Sequence, residues 1–205
     1  MRPFAGNSLR AKRGDFGFTW IELVVVIAII SILAFLALPA ITGTTCGGPA
    51  TQTLSNMKQL HLATQSAALD GMTMDNTNLG WPGDTCGTFT IWAKQLVPDY
   101  LSTNDFGKLL SAPGRRVPHG QMPAAMTEGA ILVYAVSSNS PSEAVFLTTA
   151  NFTNGPAGGQ PLQEAAVPFG KKFFNVFRKA GDGAILLPKQ VKDTNVIGSY
   201  VPLLK

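Results

Sequence analysis

From Phe18 to Ile41 the chain is almost unbroken apolar residues, and Glu22 is the one ionisable side chain in that stretch. Helix crosses a bilayer core in roughly 20 apolar residues, and this run meets that length. A carboxylate inside such a helix costs about 2.5–3.5 kcal/mol on insertion scales. A chain that carries this cost needs a partner for the charge. The run therefore predicts a helix that leaves water, with Glu22 near its entrance as the residue that something else must answer.

The flanks sharpen this. Residues 1–17 hold Arg2, Arg10, Lys12 and Arg13 against Asp15, a net of +3. The whole chain is +4, so the rest carries only +1, 12 basic against 11 acidic residues. The basicity belongs mostly to the leader, and the remainder lacks the broad basic field that phosphate binding uses. Lys171, Lys172, Arg178 and Lys179 form a small cluster that reads as a solvated strand edge rather than a nucleic-acid contact, so no nucleic-acid partner is expected. A basic leader before an apolar run also suits a secretory signal peptide. Here, though, the apolar run exceeds the 7–15 residues of such a core, and Leu38-Pro39-Ala40 lacks the first small residue of a cleavage site. A plain membrane anchor explains the length and puts the basic flank in the cytoplasm. It leaves Glu22 and Gly17 unexplained.

Gly17-Phe18-Thr19-Trp20-Ile21-Glu22-Leu23 resembles the cleavage and methylation motif of type IV prepilins and type II secretion pseudopilins, with Trp20 where leucine is more usual. The basic leader and the long apolar helix belong to the same pattern, which covers residues 1 to about 45. The resemblance implies that a prepilin peptidase cuts between Gly17 and Phe18 and methylates the new amino group of Phe18. It implies that Glu22 pairs with the Phe18 amino group of a neighbouring subunit during assembly. Pro39 falls where many members carry a helix-bending proline, and a proline removes a backbone donor and bends a helix. The implied partners are the prepilin peptidase, further copies and other pilin-like subunits, an inner-membrane assembly platform and membrane lipid. The implied location is the bacterial inner membrane, single-pass with the N-terminus cytoplasmic and the globular domain periplasmic, or a cell-surface filament.

Four regions follow: a leader at 1–17, cleaved; a transmembrane and assembly helix at 18–41; a kinked continuation at 42–70; and a globular domain at 71–205. Gly43, Gly47, Gly48 and Pro49 predict a break over Thr42–Pro49. Helical spacing resumes at Thr51 through Leu54, Met57, Leu60 and Thr64 to Ala67, and Gly71 is a good terminator. His61 reads as a half-buried helix residue. The stretch Asn56-Met57-Lys58-Gln59-Leu60 through Trp81-Pro82-Gly83-Asp84 is loosely similar to a bacterial subgroup of pseudopilin-like proteins.

With 21 glycines and 14 prolines in 205 residues, the globular part reads as loop-rich with short elements. Residues 71–128 read as a long excursion with one helix near Thr90–Leu96, anchored by Trp81 and Trp92. Strands are expected at Ile131–Ser137, Ala144–Thr149, Phe173–Phe177 and Ala184–Leu187, with Asp182-Gly183 as a hairpin signal and a loop at Asn154–Pro161. The fold class is α+β: a long N-terminal helix, membrane-spanning in its first half, packed on a small antiparallel sheet, as the resemblance also implies.

Cys46 and Cys86 permit one disulfide if the domain lies outside the cytoplasm, or two free thiols. His61 and His119 are far apart and no metal-ligand spacing is present. Some pseudopilins bind calcium in a C-terminal loop. Asp182 and Asp193 are the acids placed for that, without a dense oxygen-ligand loop around them, and a turn role is the simpler reading of Asp182. No nucleophile elbow, positioned triad or glycine-rich phosphate loop appears, so neither catalysis nor a cofactor is expected. The function read from the residues is a structural subunit polymerising into a type IV pilus-like filament. A type II secretion pseudopilin is the first form, and a surface pilin for adhesion, motility or DNA uptake is the second. A membrane-tethered binding module is the rival of another class.

Overall fold

The structure is a computed structural model that describes residues 19–44, 47–162 and 166–205, with side chains over 19–33 in the first of these. It divides into two units at Thr44 and Thr45.

The N-terminal unit is helix α1, Trp20–Thr44. It is apolar on every face, and its described large side chains are exposed from Trp20 (79%) to Leu33. Ser31, the uncharged polar residue between Trp20 and Leu33, turns its hydroxyl back onto the Ile27 carbonyl at 2.7 Å. That bond satisfies the group within its own helix, as an apolar surrounding requires. The helix runs through Pro39 to Thr44. Among the described residues no helix is long and apolar enough to cross a membrane.

The second unit opens with α2, Gly48–Thr73, with Pro49 in its first turn, where a missing N–H costs nothing. α1 ends and α2 begins inside the break expected over Thr42–Pro49. The inner face of α2 buries Met57, Leu60, His61, Thr64, Ala67 and Ala68. Gly71 does not end this helix. It lies within the last turn, where the Leu79 carbonyl comes within 2.1 Å of the place a Cβ would take, so close backbone approach rather than termination calls for glycine there. Three further helices follow, α3 (Pro82–Thr85), α4 (Phe89–Leu96) and α5 (Thr103–Leu109), with a 3₁₀ turn at Met126–Glu128. The expected single helix is α4. α5 was hidden by a turn-forming residue that serves as its cap, Ser102, which accepts from the Asp105 N–H at 3.1 Å, and α3 is a four-residue turn that opens on Pro82.

The sheet has four antiparallel strands in the order β1 (Ile131–Val133), β2 (Val145–Thr149), β5 (Phe174–Arg178) and β6 (Gly183–Leu186). Between β2 and β5 the chain makes a separate hairpin, β3 (Phe152–Gly155) and β4 (Gly158–Pro161), across the stretch expected as a loop. Its glycines and asparagine mask a ladder that only pairing reveals. The β5–β6 hairpin is formed, with its left-handed turn residue at Gly181 (φ +89°) and Gly183 already paired in the strand. The C-terminal residues close the free edge of β1: Leu204 N–H donates to the Val133 carbonyl and Ala135 N–H to the Pro202 carbonyl, both at 2.9 Å. That covers backbone groups which an open edge would offer to another chain. The last helix is α6, Thr194–Ile197.

α2 packs on β5 and β6 and against α4 and α5, so the fold is α+β with a helix on an antiparallel sheet. The contact is largely aromatic. β2 bulges at Phe146, since Val145 pairs with Arg178 while Leu147 pairs with Phe177. A bulge re-aims a side chain, and the Phe146 ring lies 5.6 Å from Trp81, 6.4 Å from Trp92 and 5.9 Å from His61. Trp92 continues the chain of rings to Phe106 at 5.7 Å, and its indole N–H donates to the Thr64 hydroxyl at 3.2 Å. Trp81 and Trp92 are both buried, as expected of anchors. Phe146→Ala should therefore lower unfolding stability by about 3–5 kcal/mol. Denaturant unfolding of the full chain in detergent, followed by tryptophan fluorescence, measures this, and a loss under about 1 kcal/mol would show the ring is not the hub.

Candidate functional site

The start of α1 is built by Thr19 and Glu22. Thr19 is the residue before the helix, and Glu22 lies three residues on, in the first turn. The Glu22 Oε2 accepts from the Thr19 backbone N–H at 2.8 Å and from its hydroxyl at 2.7 Å. In return Glu22 N–H donates to the Thr19 hydroxyl oxygen at 3.4 Å. This is a reciprocal cap: each side chain satisfies a backbone donor that the first turn of a helix leaves open. A carboxylate at that end also meets the positive pole of the helix. The role was legible in the sequence, since Thr-x-x-Glu before an apolar run is the pattern of such a cap. The assembly motif on the same residues drew attention to Glu22 and away from Thr19.

Gly17, Phe18 and Cys46 lie outside the described residues, as does the cleavage point between the first two. Cys86 is buried and free. Its thiol donates to the Gln95 Oε1 at 3.0 Å, and burial raises its pKa while the Thr85 hydroxyl works the other way, so it is a poor thiolate. Of the two acids considered for calcium, Asp182 pairs with the Arg178 guanidinium. Asp193 caps α6 by accepting from Asn195 N–H at 3.0 Å. Two members of the basic cluster are structural. Arg178 also donates to the Ile197 carbonyl at 2.9 Å and to that of Val196. The Lys179 ammonium donates to the carbonyls of Ser138 and Ser140 at 2.6 Å each and lies 5.9 Å from the centre of the Trp81 ring.

His61 is not half-buried but 3% exposed. It sits among Trp81, Phe146 and Phe177, with its Nε2 2.8 Å from the Lys179 carbonyl. Donation to a carbonyl requires the hydrogen on Nε2. The bond ties the middle of α2 to the β5–β6 turn.

No family model matches the chain, and no solved structure matches it. Over 123 residues it is 27% identical to the type IV major fimbrial protein FimA of Dichelobacter nodosus, a match covering 54% of this chain and 79% of that protein. The likeness supports a relationship with the type IV pilin family. The helix of the globular unit, packed on an antiparallel sheet, agrees with a pilin-like fold.

Burial lowers the His61 pKa from its ordinary value, and the bond to the Lys179 carbonyl opposes this only in part. Below about pH 6.5 the unfolded chain takes up a proton that folded His61 refuses. Stability should accordingly fall as pH drops through 6.5, until the lowered folded value is reached. Thermal midpoints of the full chain between pH 7.5 and 5 should show this slope, and His61→Gln should flatten it. An unchanged slope in that variant would assign it to other groups.

Proposed function

We propose that the chain is a structural subunit that polymerises into a type IV pilus-like filament through its N-terminal helix. The observation that carries this reading is α1 itself. A helix that is apolar on all faces and exposed over its described side chains is stable only where lipid or other helices cover it. Pilin-like subunits use both covers in turn, lipid before assembly and neighbouring helices after it. The likeness to a fimbrial protein supports the same reading.

In this account α1 sits in the bacterial inner membrane before assembly. The basic leader is cytoplasmic and the globular unit lies in the periplasm. A prepilin peptidase removes residues 1–17 and methylates the Phe18 amino group, which creates a cation next to the helix start. Glu22 answers that cation on a neighbouring subunit. Both of its bonds to Thr19 fall on Oε2, so Oε1 remains to receive an incoming ammonium. Two unit charges about 4 Å apart attract by roughly 4 kcal/mol at an effective dielectric near 20. That magnitude offsets the insertion cost of the carboxylate and sets axial register between subunits. An inner-membrane platform would hand the subunit from lipid to filament.

Two forms of filament remain. The Asn-x-Lys-Gln helix and the Pro-bearing turn at residues 56–84 support a type II secretion pseudopilin. The match to a major fimbrial protein supports a surface pilin. Mass spectrometry of the N-terminus, in filaments sheared from cells and in washed membranes, separates them. N-methylated Phe18 in the sheared fraction means a surface pilin. The same terminus confined to membranes means a pseudopilin, and an intact leader in both fractions overturns the proposal.

The cap and the intersubunit pair can be tested apart. Glu22→Ala should leave processing intact and sharply reduce filament yield. Thr19→Ala removes only the hydroxyl bonds of the cap, at about 1 kcal/mol of helix stability, keeps the backbone N–H bond to Glu22, and should reduce yield less. Normal yield from Glu22→Ala would remove the carboxylate from assembly.

A further inference from the structure

The filament reading leaves unused a cleft of about 520 Å³ on the globular unit, far in sequence from α1. Three segments form it: Glu143 just before β2, Pro156 in the β3–β4 turn, and the stretch from Thr194 to Tyr200. Their relative positions are held by backbone bonds. Ser199 N–H donates to the Glu143 carbonyl and Val145 N–H to the Ser199 carbonyl, both at 3.0 Å, and Gly159 N–H donates to the Val191 carbonyl at 3.0 Å. Gly198 lies at φ +117°, and a Cβ there would stand 2.2 Å from the Glu143 carbonyl oxygen. Arg178 braces the same wall through the carbonyls of Val196 and Ile197. A cleft walled this way exists before any ligand arrives, which lowers the entropy a ligand must overcome.

The polar groups at the cleft are few and arranged. The Glu143 carboxylate accepts from the Ser199 hydroxyl at 3.2 Å through Oε1 and from the Ser142 hydroxyl at 3.1 Å through Oε2. Its own backbone N–H first, then these hydroxyls, hold it below the usual carboxylate range, so it is an acceptor at neutral pH. Asn195 adds an amide that both donates and accepts, and Thr194 adds a hydroxyl. Tyr200, 45% exposed, and Pro156 add an aromatic and an apolar residue to the lining.

We propose that this cleft binds a neutral hexopyranose unit, with the Tyr200 ring against its C–H face and Glu143, Asn195 and Ser199 on its hydroxyls. The volume suits one or two sugar rings. Vicinal hydroxyls match a carboxylate flanked by an amide and a hydroxyl, and the apolar face of a pyranose matches an amphipathic ring. A hard cation fits less well. Among the described residues Glu143 is the one carboxylate lining the cleft, and no group of three or more His, Cys, Asp or Glu side chains is placed to hold a metal. An ammonium ligand would engage one exposed carboxylate, a pairing worth little in water, and would leave the amide and hydroxyls unused. The site stands whether or not the chain polymerises.

Saturation-transfer NMR on the full chain tests it, in micelles of lauryldimethylamine oxide, whose head group is not a sugar. The probes are methyl α-glucoside, methyl β-galactoside and N-acetylglucosamine. At least one should receive saturation on its ring protons. Tyr200→Ala and Glu143→Ala should each weaken its apparent affinity about tenfold or more, while Lys94→Gln, on exposed α4 surface, should leave it unchanged. Asn195→Ala replaces either cleft variant that loses dispersed methyl signals. Absence of transfer to all three sugars overturns the proposal, as does undiminished transfer in the folded cleft variants. Calcium chloride or tetramethylammonium chloride binding at the cleft in place of any sugar would overturn it too.

Discussion

Phe146 stands where β2 meets α2, α4 and the Trp81 segment, and it does so because β2 carries one residue more than β5 can pair. The bulge sends that ring toward α2, where Trp81, Trp92 and His61 close around it. From there the aromatic contacts run through Trp92 to Phe106 on α5 and through His61 to Phe177 on β5. Large rings bury 150–250 Å² each and lock into a few geometries. A loop-rich chain with short helices thereby acquires a rigid centre without long regular elements. Polar bonds are added around the rings: Trp92 to the Thr64 hydroxyl, His61 to the Lys179 carbonyl, and Asn175 Nδ2 to the Ala50 carbonyl at 2.7 Å near the start of α2.

The two units solve opposite problems. The globular one buries its apolar groups within itself. α1 buries none of its described ones and keeps its polar groups satisfied internally, through the Ser31 bond and the Thr19–Glu22 cap. Helices of the second kind depend on what surrounds them, so their stability belongs to an assembly rather than to a chain. Glu22 carries both needs at one position. It closes the helix start by itself, and in the proposed filament it also meets the charge of a neighbour, which gives a cooperative reason for placing an acid where lipid disfavours it.

Much of this architecture was legible in the residues. The apolar run, the break before Pro49, the inner face of α2, helix α4 and the four strands of the main sheet follow from periodicity and turn residues, which are local properties. What escaped was non-local or double in meaning. The β3–β4 hairpin has sequence Phe-Thr-Asn-Gly and Gly-Gly-Gln-Pro, poor strand formers whose pairing is decided by the partner across the ladder. Gly71 reads as a helix end, and is instead a place where another segment's carbonyl touches the helix. His61 reads as half-exposed on an amphipathic helix, and three rings from other elements bury it.

Alone, the sequence determined one apolar helix with a single carboxylate near its start, because hydrophobicity and charge are properties of residues wherever they fold. It also settled the alternation of short strands and turns. Only the tertiary structure decided that a bulge aims Phe146 and that Cys86 is a buried thiol bonded to Gln95. It alone brought Glu143, Asn195 and Ser199 together across more than 50 residues of chain. Those outcomes depend on which distant backbone arrives at each side chain, and no local pattern encodes that.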